Sequence, residues 1–379
     1  MVTPRVPGVG LTHFGEHPER TGRDMFAEAG LTALDDAGVS PAEIEALYYG
    51  NFMGEMAEHQ GHEAPMMAEA VGAPEVAATR LESACASAGT AVRQAVQSVR
   101  HGEADVVLAG GAERMTNIGT AGATEALSIA ADDLYEVQEG MTFPGAYALM
   151  ARAYFEQYGG GREDLAEIAV KNHDNALPNE YAQLRKEISV EDALGAPMVA
   201  DPLGLYDACP ITDGAAAVVV TSEDYAAAND LDATVGITGT GQGGDKLALQ
   251  DRQYLARTPA AERAAEEAYA DAGIGPADVD FAEVHDCFTI AEVLATEALG
   301  FFEVGEGVTA AADGTTRRDG DLPVNLSGGL KAKGHPVGAT GAAQIAEITK
   351  LLRGEHPRSD AVADATTAVA HNAGGTVGS

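Results

Sequence analysis

One of the three cysteines and three of the ten histidines stand where an α/β chain places reactive groups. Cys85 lies in "ESACASAG" (82–89), just before an Ala-rich segment that reads as a helix. Its neighbours Ser83, Ala84, Ala86, Ser87, Ala88 and Gly89 are all small, whereas a packing cysteine usually has large apolar ones. A substrate group can therefore reach the sulfur. A helix start also supplies unpaired N–H groups and the positive end of a dipole, both of which favour a thiolate. His335 stands in "GGLKAKGHPVGATG" (328–341), again just before an Ala-rich helix. His285 in "EVHDCF" and His371 in "AVAHNAGG" each end a strand, and strand ends are where α/β sites assemble. Taken singly, each has a structural alternative: a buried packing thiol, a turn histidine, or a hydrogen-bonded core histidine. A cysteine and a histidine at matching points of a duplicated pattern favour chemistry instead. That chemistry is a thiolate nucleophile, assisted by imidazole, taking an acyl group.

The duplication is visible in the elements that carry these residues. "DDAGVSPAEIEAL" (35–47) parallels "ADAGIGPADVDFA" (270–282), each predicting an amphipathic helix, a Gly stop, a Pro-started turn and a strand. Downstream, "SAGTAVRQAVQSVRHGE" (87–103) parallels "GATGAAQIAEITKLLRGE" (338–355), and "ADVVLAGG" (104–111) parallels "ATTAVAHNAGG" (365–375). The fold class is α/β: two duplicated halves, 1–230 and 231–379, in a layered α-β-α-β-α arrangement. The first half carries an inserted loop domain at about 115–205, before its last strand "GAAAVVVTSE" (214–223). After Gly374 and Gly375 the second half has only "TVGS". Its sheet is expected to be one strand short, with an open edge on 366–371 and a poorly held tail.

These motifs resemble those of the thiolases, most of all the archaeal and sterol-carrier-protein type. The resemblance runs from "GLTHFGEH" to "HNAGG" and rests on "ESACASAG", on "HDCF" where many thiolases have Asn-Glu-Ala-Phe, and on "GGLKAKGHPVGATG". It implies that Cys85 takes the acyl group as a thioester and that His335 assists its ionisation. It implies a first oxyanion hole of His285 and His335, through a water. The last motif departs from the family's Cys-x-Gly, placing His371 where the acid/base cysteine would stand and Ala373 at the glycine. The second oxyanion hole then draws on the N–H groups of Cys85 and of Ala373 or Gly374. The implied activity is acyl-CoA C-acetyltransfer, a ping-pong Claisen condensation or its thiolytic reverse. Its substrates are acetyl-CoA and acyl-CoA thioesters, with no permanently bound cofactor. A homodimer or homotetramer is implied, with a small zinc-ribbon/OB-fold protein as a possible partner. A ketoacyl synthase and a CoA-binding subunit without turnover are the alternatives.

Composition bounds the rest. The chain has 379 residues and 59 acidic against 23 basic side chains, a net charge of −36. The acids are scattered, which reads as a surface that stays hydrated in concentrated salt and argues against nucleic acid as a partner. No apolar run has the length of a membrane span, the start lacks a signal-peptide pattern, and three cysteines without zinc spacing suit a reducing cytoplasm. Weaker motifs remain. "GTGQGG" (239–244) resembles a phosphate loop but lacks its Lys-Ser/Thr, and glycine-rich turns are common. "HQGHE" (59–63) has metal-like spacing but no further ligand cluster, so no metal site is expected. Lys331 and Lys333 either meet a CoA phosphate or are solvated, and Cys209 and Cys287 read as packing thiols.

Overall fold

A computed structural model of the chain describes residues 3–379 and shows a mixed α/β protein. Two compact units divide it. The first comprises residues up to Ala123, Ile211–Thr238 and Pro336–His356; the second comprises Thr124–Pro210, Gly239–His335 and Pro357–Ser379.

The first unit is built on a five-stranded sheet. Its strands are β1 (Arg5–Leu11), β2 (Ala46–Gly50), β3 (Ala77–Leu81), β4 (Val106–Glu113) and β7 (Gly214–Thr221). The short pair β5 (Met198–Ala200) and β6 (Leu203–Gly204) intervenes in the chain but belongs to the second unit. The sheet order is β1-β7-β4-β2-β3, with β4 parallel to β2 and antiparallel to β7. Every residue of β4 and β7 is buried, as their Val- and Ala-rich sequences require of central strands. The Ser87–Arg100 and Thr340–Arg353 helices, one from each sequence copy, pack on this unit's strands and on one another.

The second unit pairs β8 (Phe281–Glu283) with β9 (Ala368–Ala370) in parallel. Both strands are shorter than their counterparts β2 and β4. Where β4 lies between two neighbours and is wholly buried, β9 has one neighbour and is half-buried throughout. The second sheet was expected to lack one strand; among the described residues it has two strands against the first sheet's five. The loose tail was not found: Arg252 donates to Thr376 Oγ1 at 2.9 Å, Asp245 N–H to the Gly378 carbonyl at 3.1 Å, and Val377 is buried with Ala260 and Ala261. A cation, a backbone bond and an apolar contact hold the tail without a strand partner.

The duplication survives as geometry. The Gly22–Ala37 and Pro259–Ala272 helices both stop at a left-handed glycine, Gly38 (φ 69°) and Gly273 (φ 72°), and each is followed by a Pro-started turn. Asp36 accepts from Val9 N–H at 2.9 Å, and Asp271 accepts from Thr240 N–H at 3.0 Å. Glycines flank both amides. A Cβ on Gly10 would overlap the Ala29 carbonyl, and one on Gly241 would overlap that of Ala264. The glycines of "GTGQGG" therefore let a helix backbone close on this stretch, which settles that motif as a packing run.

Candidate active site

In the first unit, the chain leaves β3 through a tight turn and enters the Ser87–Arg100 helix at Cys85. Ala84 sits at φ 47°, a left-handed conformation uncommon for residues other than glycine. Local bonds hold it there: Ser87 Oγ donates to the Ala84 carbonyl at 2.6 Å, Ser83 N–H to Ser87 Oγ at 3.0 Å, and Ala84 N–H to Glu82 Oε1 at 2.6 Å. The turn presents a half-buried Cys85 at a helix start that no side chain caps. Gly50 and Gly111 are register partners at the ends of β2 and β4. A Cβ on Gly50 would lie 2.5 Å from the Ala88 nitrogen, and one on Gly111 would overlap the Gly338 carbonyl. The two copies' helix starts thus lie against the neighbouring strands β2 and β4. Glu113 closes this corner, accepting from Asn51 Nδ2 and from the N–H groups of Phe52, Met53 and Gly338. Burial nonetheless lifts its carboxyl to about 7.

The second unit brings His285, His335 and His371 together. The His285 and His335 rings stand edge to face with centroids 5.0 Å apart, and His285 N–H points at His371 Nδ1 at 3.5 Å, the outer limit of a hydrogen bond. All three are buried. Burial drives His335 down to about 3 and His371 to about 4, and it holds His285 well below its ordinary value, with help from its two histidine neighbours. At neutral pH the cluster is uncharged, so its rings offer N–H donors and nitrogen lone pairs rather than cations. Asn372 Nδ2 contacts His285 Nδ1 at 3.1 Å, while the buried His285 Nε2 meets no partner among the described residues. Gly374 N–H is engaged by the Ser379 carbonyl at 2.8 Å, which leaves Ala373 as the other nearby backbone candidate.

Three buried carboxylates tie the histidine-bearing segments to one another. Glu283 accepts from Ser327 N–H at 2.9 Å, and Asp286 accepts from Leu330 N–H at 2.6 Å. The Arg162–Ala176 helix of the insertion joins them: Asn172 Nδ2 donates to Asp286 at 2.7 Å and to Glu292 at 2.9 Å. Lys171 Nζ reaches Glu292 at 2.6 Å and the Val324 carbonyl at 2.9 Å. Burial and the nearby Glu292 raise the Asp286 pKa. The inserted segment braces the loop that leads to His335. Asn172 and Glu292 are lone polar residues in helices and Glu113 ends a strand, so none carries a sequence signal for this task, whereas Asp286 had one, its place inside "EVHDCF". Asn372 had one, its place inside "AVAHNAGG".

The remaining motifs resolve simply. Lys331 and Lys333 are buried rather than solvated, Lys331 Nζ lying over the Tyr206 ring at 5.8 Å. Cys287 is buried in the apolar cluster of Tyr147, Phe288 and Leu330, Cys209 packs against it, and no disulfide joins the cysteines. His59 and His62 are exposed while Glu63 turns inward to Arg80 at 3.4 Å, so "HQGHE" does not converge.

A cysteine before a helix start in the first unit and buried, neutral imidazoles in the second are side-chain types that acyl-transferring enzymes use. Two family models match: "Thiolase, N-terminal domain" over residues 8–224 and "Thiolase C-terminal domain-like" over residues 241–379. The chain belongs to the thiolase family and is an acyltransferase. It is 45% identical to the acetyl-CoA acetyltransferase of Methanothermobacter thermautotrophicus, over 98% of this chain and 96% of that one. It is 40% identical to the acetyl-CoA acetyltransferase of Methanocaldococcus jannaschii, over 98% and 95%. Among solved structures, an Ltp2-ChsH2(DUF35) aldolase superposes with a TM-score of 0.83 at 27% identity, covering 98% of this chain and 95% of that one.

Proposed function

We propose that the chain is an acetyl-CoA C-acetyltransferase working through an acyl thioester on Cys85. The observation that carries this is the buried, neutral cluster of His285, His335 and His371, in which His285 Nε2 meets no partner among the described residues. Claisen chemistry needs neutral donors where charge develops on a thioester oxygen, each worth ~3 kcal/mol of barrier. His335 assists ionisation of Cys85, and His285 with His335 holds the first oxyanion. The Cys85 and Ala373 N–H groups hold the second. His371 moves the α-proton of acetyl-CoA, and the carbanion attacks the acyl group in the second half of a ping-pong cycle. The acetyltransferase relatives, matched almost end to end, support the choice of acetyl-CoA.

A second reading concerns the proton alone. Burial holds His371 at about 4, so it is a feeble base, and Cys287, two residues beyond His285, is the other candidate. A homo-oligomer and a small partner protein complete the proposal; the DUF35 protein in the aldolase assembly is what favours such a partner. Mass spectrometry after incubation with acetyl-CoA tests the core of it. An acetyl adduct on Cys85, lost in Cys85→Ala together with turnover, is expected. A labile adduct persisting in Cys85→Ala, at Cys287 for example, overturns the assignment. Turnover with an acyl carrier protein in place of CoA would point to a ketoacyl synthase instead.

A further inference from the structure

The two sequence copies differ at one register position of their strand pairs. Glu45 N–H donates to the Val106 carbonyl in one copy, and Asp280 N–H donates to the Thr367 carbonyl in the other. Five residues further along all four segments stand Gly50 and Gly111 in the first copy, and His285 and Asn372 in the second. Where the first copy pairs two glycines, the second pairs two polar side chains. The His371 N–H to Glu283 carbonyl bond at 2.9 Å carries the β8–β9 register up to this pair, so the backbone sets Asn372 beside His285.

We infer that Asn372 is a positioning residue that fixes the tautomer of His285. Its Nδ2 donates to His285 Nδ1 at 3.1 Å, so the ring's proton sits on Nε2, the buried nitrogen with no partner among the described residues. A neutral imidazole has one donor and one acceptor, and occupying Nδ1 with a donor commits Nε2 to donation. The result is an N–H held ready for an oxygen that gains charge during the reaction. Asn372 does this without touching the substrate. The inference rests on the proposed function only in taking His285 as a donor to the substrate oxygen.

Nitrogen-15 NMR of histidine-labelled protein at pH 7 reads the tautomer directly, with the His285 signals assigned by their loss in His285→Gln. Protonated Nε2 and bare Nδ1 are expected in the unsubstituted protein. In Asn372→Asp a carboxylate faces Nδ1, the proton moves there, and kcat falls ~10²-fold with KM little changed. A proton on Nδ1 in the unsubstituted protein overturns the inference, as does an Asn372→Asp variant whose His285 keeps its proton on Nε2. Should Asn372→Asp fail to fold, the measurement on the unsubstituted protein still decides. If the tautomer reverses in Asn372→Asp while kcat is unchanged, the Asn372 assignment stands and the oxyanion role of His285 falls.

Discussion

Burial keeps His371 neutral, and this sets the pH at which it can accept a proton. Its pKa is lowered from the usual 6.5 to about 4, so the base form persists as pH falls and is lost only around pH 4. Deuterium exchange into the α-position of acetyl-CoA should therefore show an acid limb near pH 4 rather than near 6.5. His371→Ala should still acylate Cys85 but lose this exchange by ~10²-fold or more, the usual scale for a general base. Unchanged exchange in His371→Ala, with loss in Cys287→Ala, would transfer the proton to the thiol. The candidate residues themselves were legible as types in motifs. Their protonation was not, because it depends on burial by residues remote in sequence, which makes His371 a weaker base than a free imidazole.

Among the elements, the glycine runs show what a sequence pattern leaves open. "GTGQGG" reads as an incomplete phosphate loop or a glycine-rich turn, and only the Ala264 and Ala268 backbone pressed against Gly241 shows it to be a helix-packing run. Gly241→Ala must displace the Pro259–Ala272 helix, an overpacking that costs ~1–3 kcal/mol. It should lower the thermal midpoint while leaving KM for acetyl-CoA unchanged. Weakened substrate binding at unchanged stability would restore the phosphate reading. Helix stops and Pro-started turns were legible because their signals are local, as the left-handed Gly38 and Gly273 show. The brace from the Arg162–Ala176 helix to Asp286 and Glu292 was not, since it joins residues more than a hundred positions apart.

For the whole molecule, a net charge of −36 means that self-repulsion opposes the compact state. Ion pairs such as Arg20–Glu28 and Arg23–Glu69 are exposed. Pairs of this kind contribute ~0–1 kcal/mol each. With only 23 basic side chains they cannot offset the excess of acids. Screening acts on both, but the repulsion is the larger sum, and the screening length falls from ~10 Å at 0.1 M salt to ~3 Å at 1 M. The thermal midpoint should therefore rise with sodium or potassium chloride between 0.1 M and 1 M salt, roughly one decade of ionic strength. A flat or falling midpoint over that range would remove the concentrated-salt reading of the composition.

By itself, the sequence determined the duplication, the α/β class, the family and the reactive residue types. Each of these is written in local patterns: apolar periodicity, helix stops, and short motifs whose chemistry needs particular side chains. Only the tertiary structure decided which histidines cluster, that they are neutral, and which residues hold them. Those properties come from contacts between distant segments, such as Asn372 with His285 and Asn172 with Asp286, and from the desolvation those contacts impose.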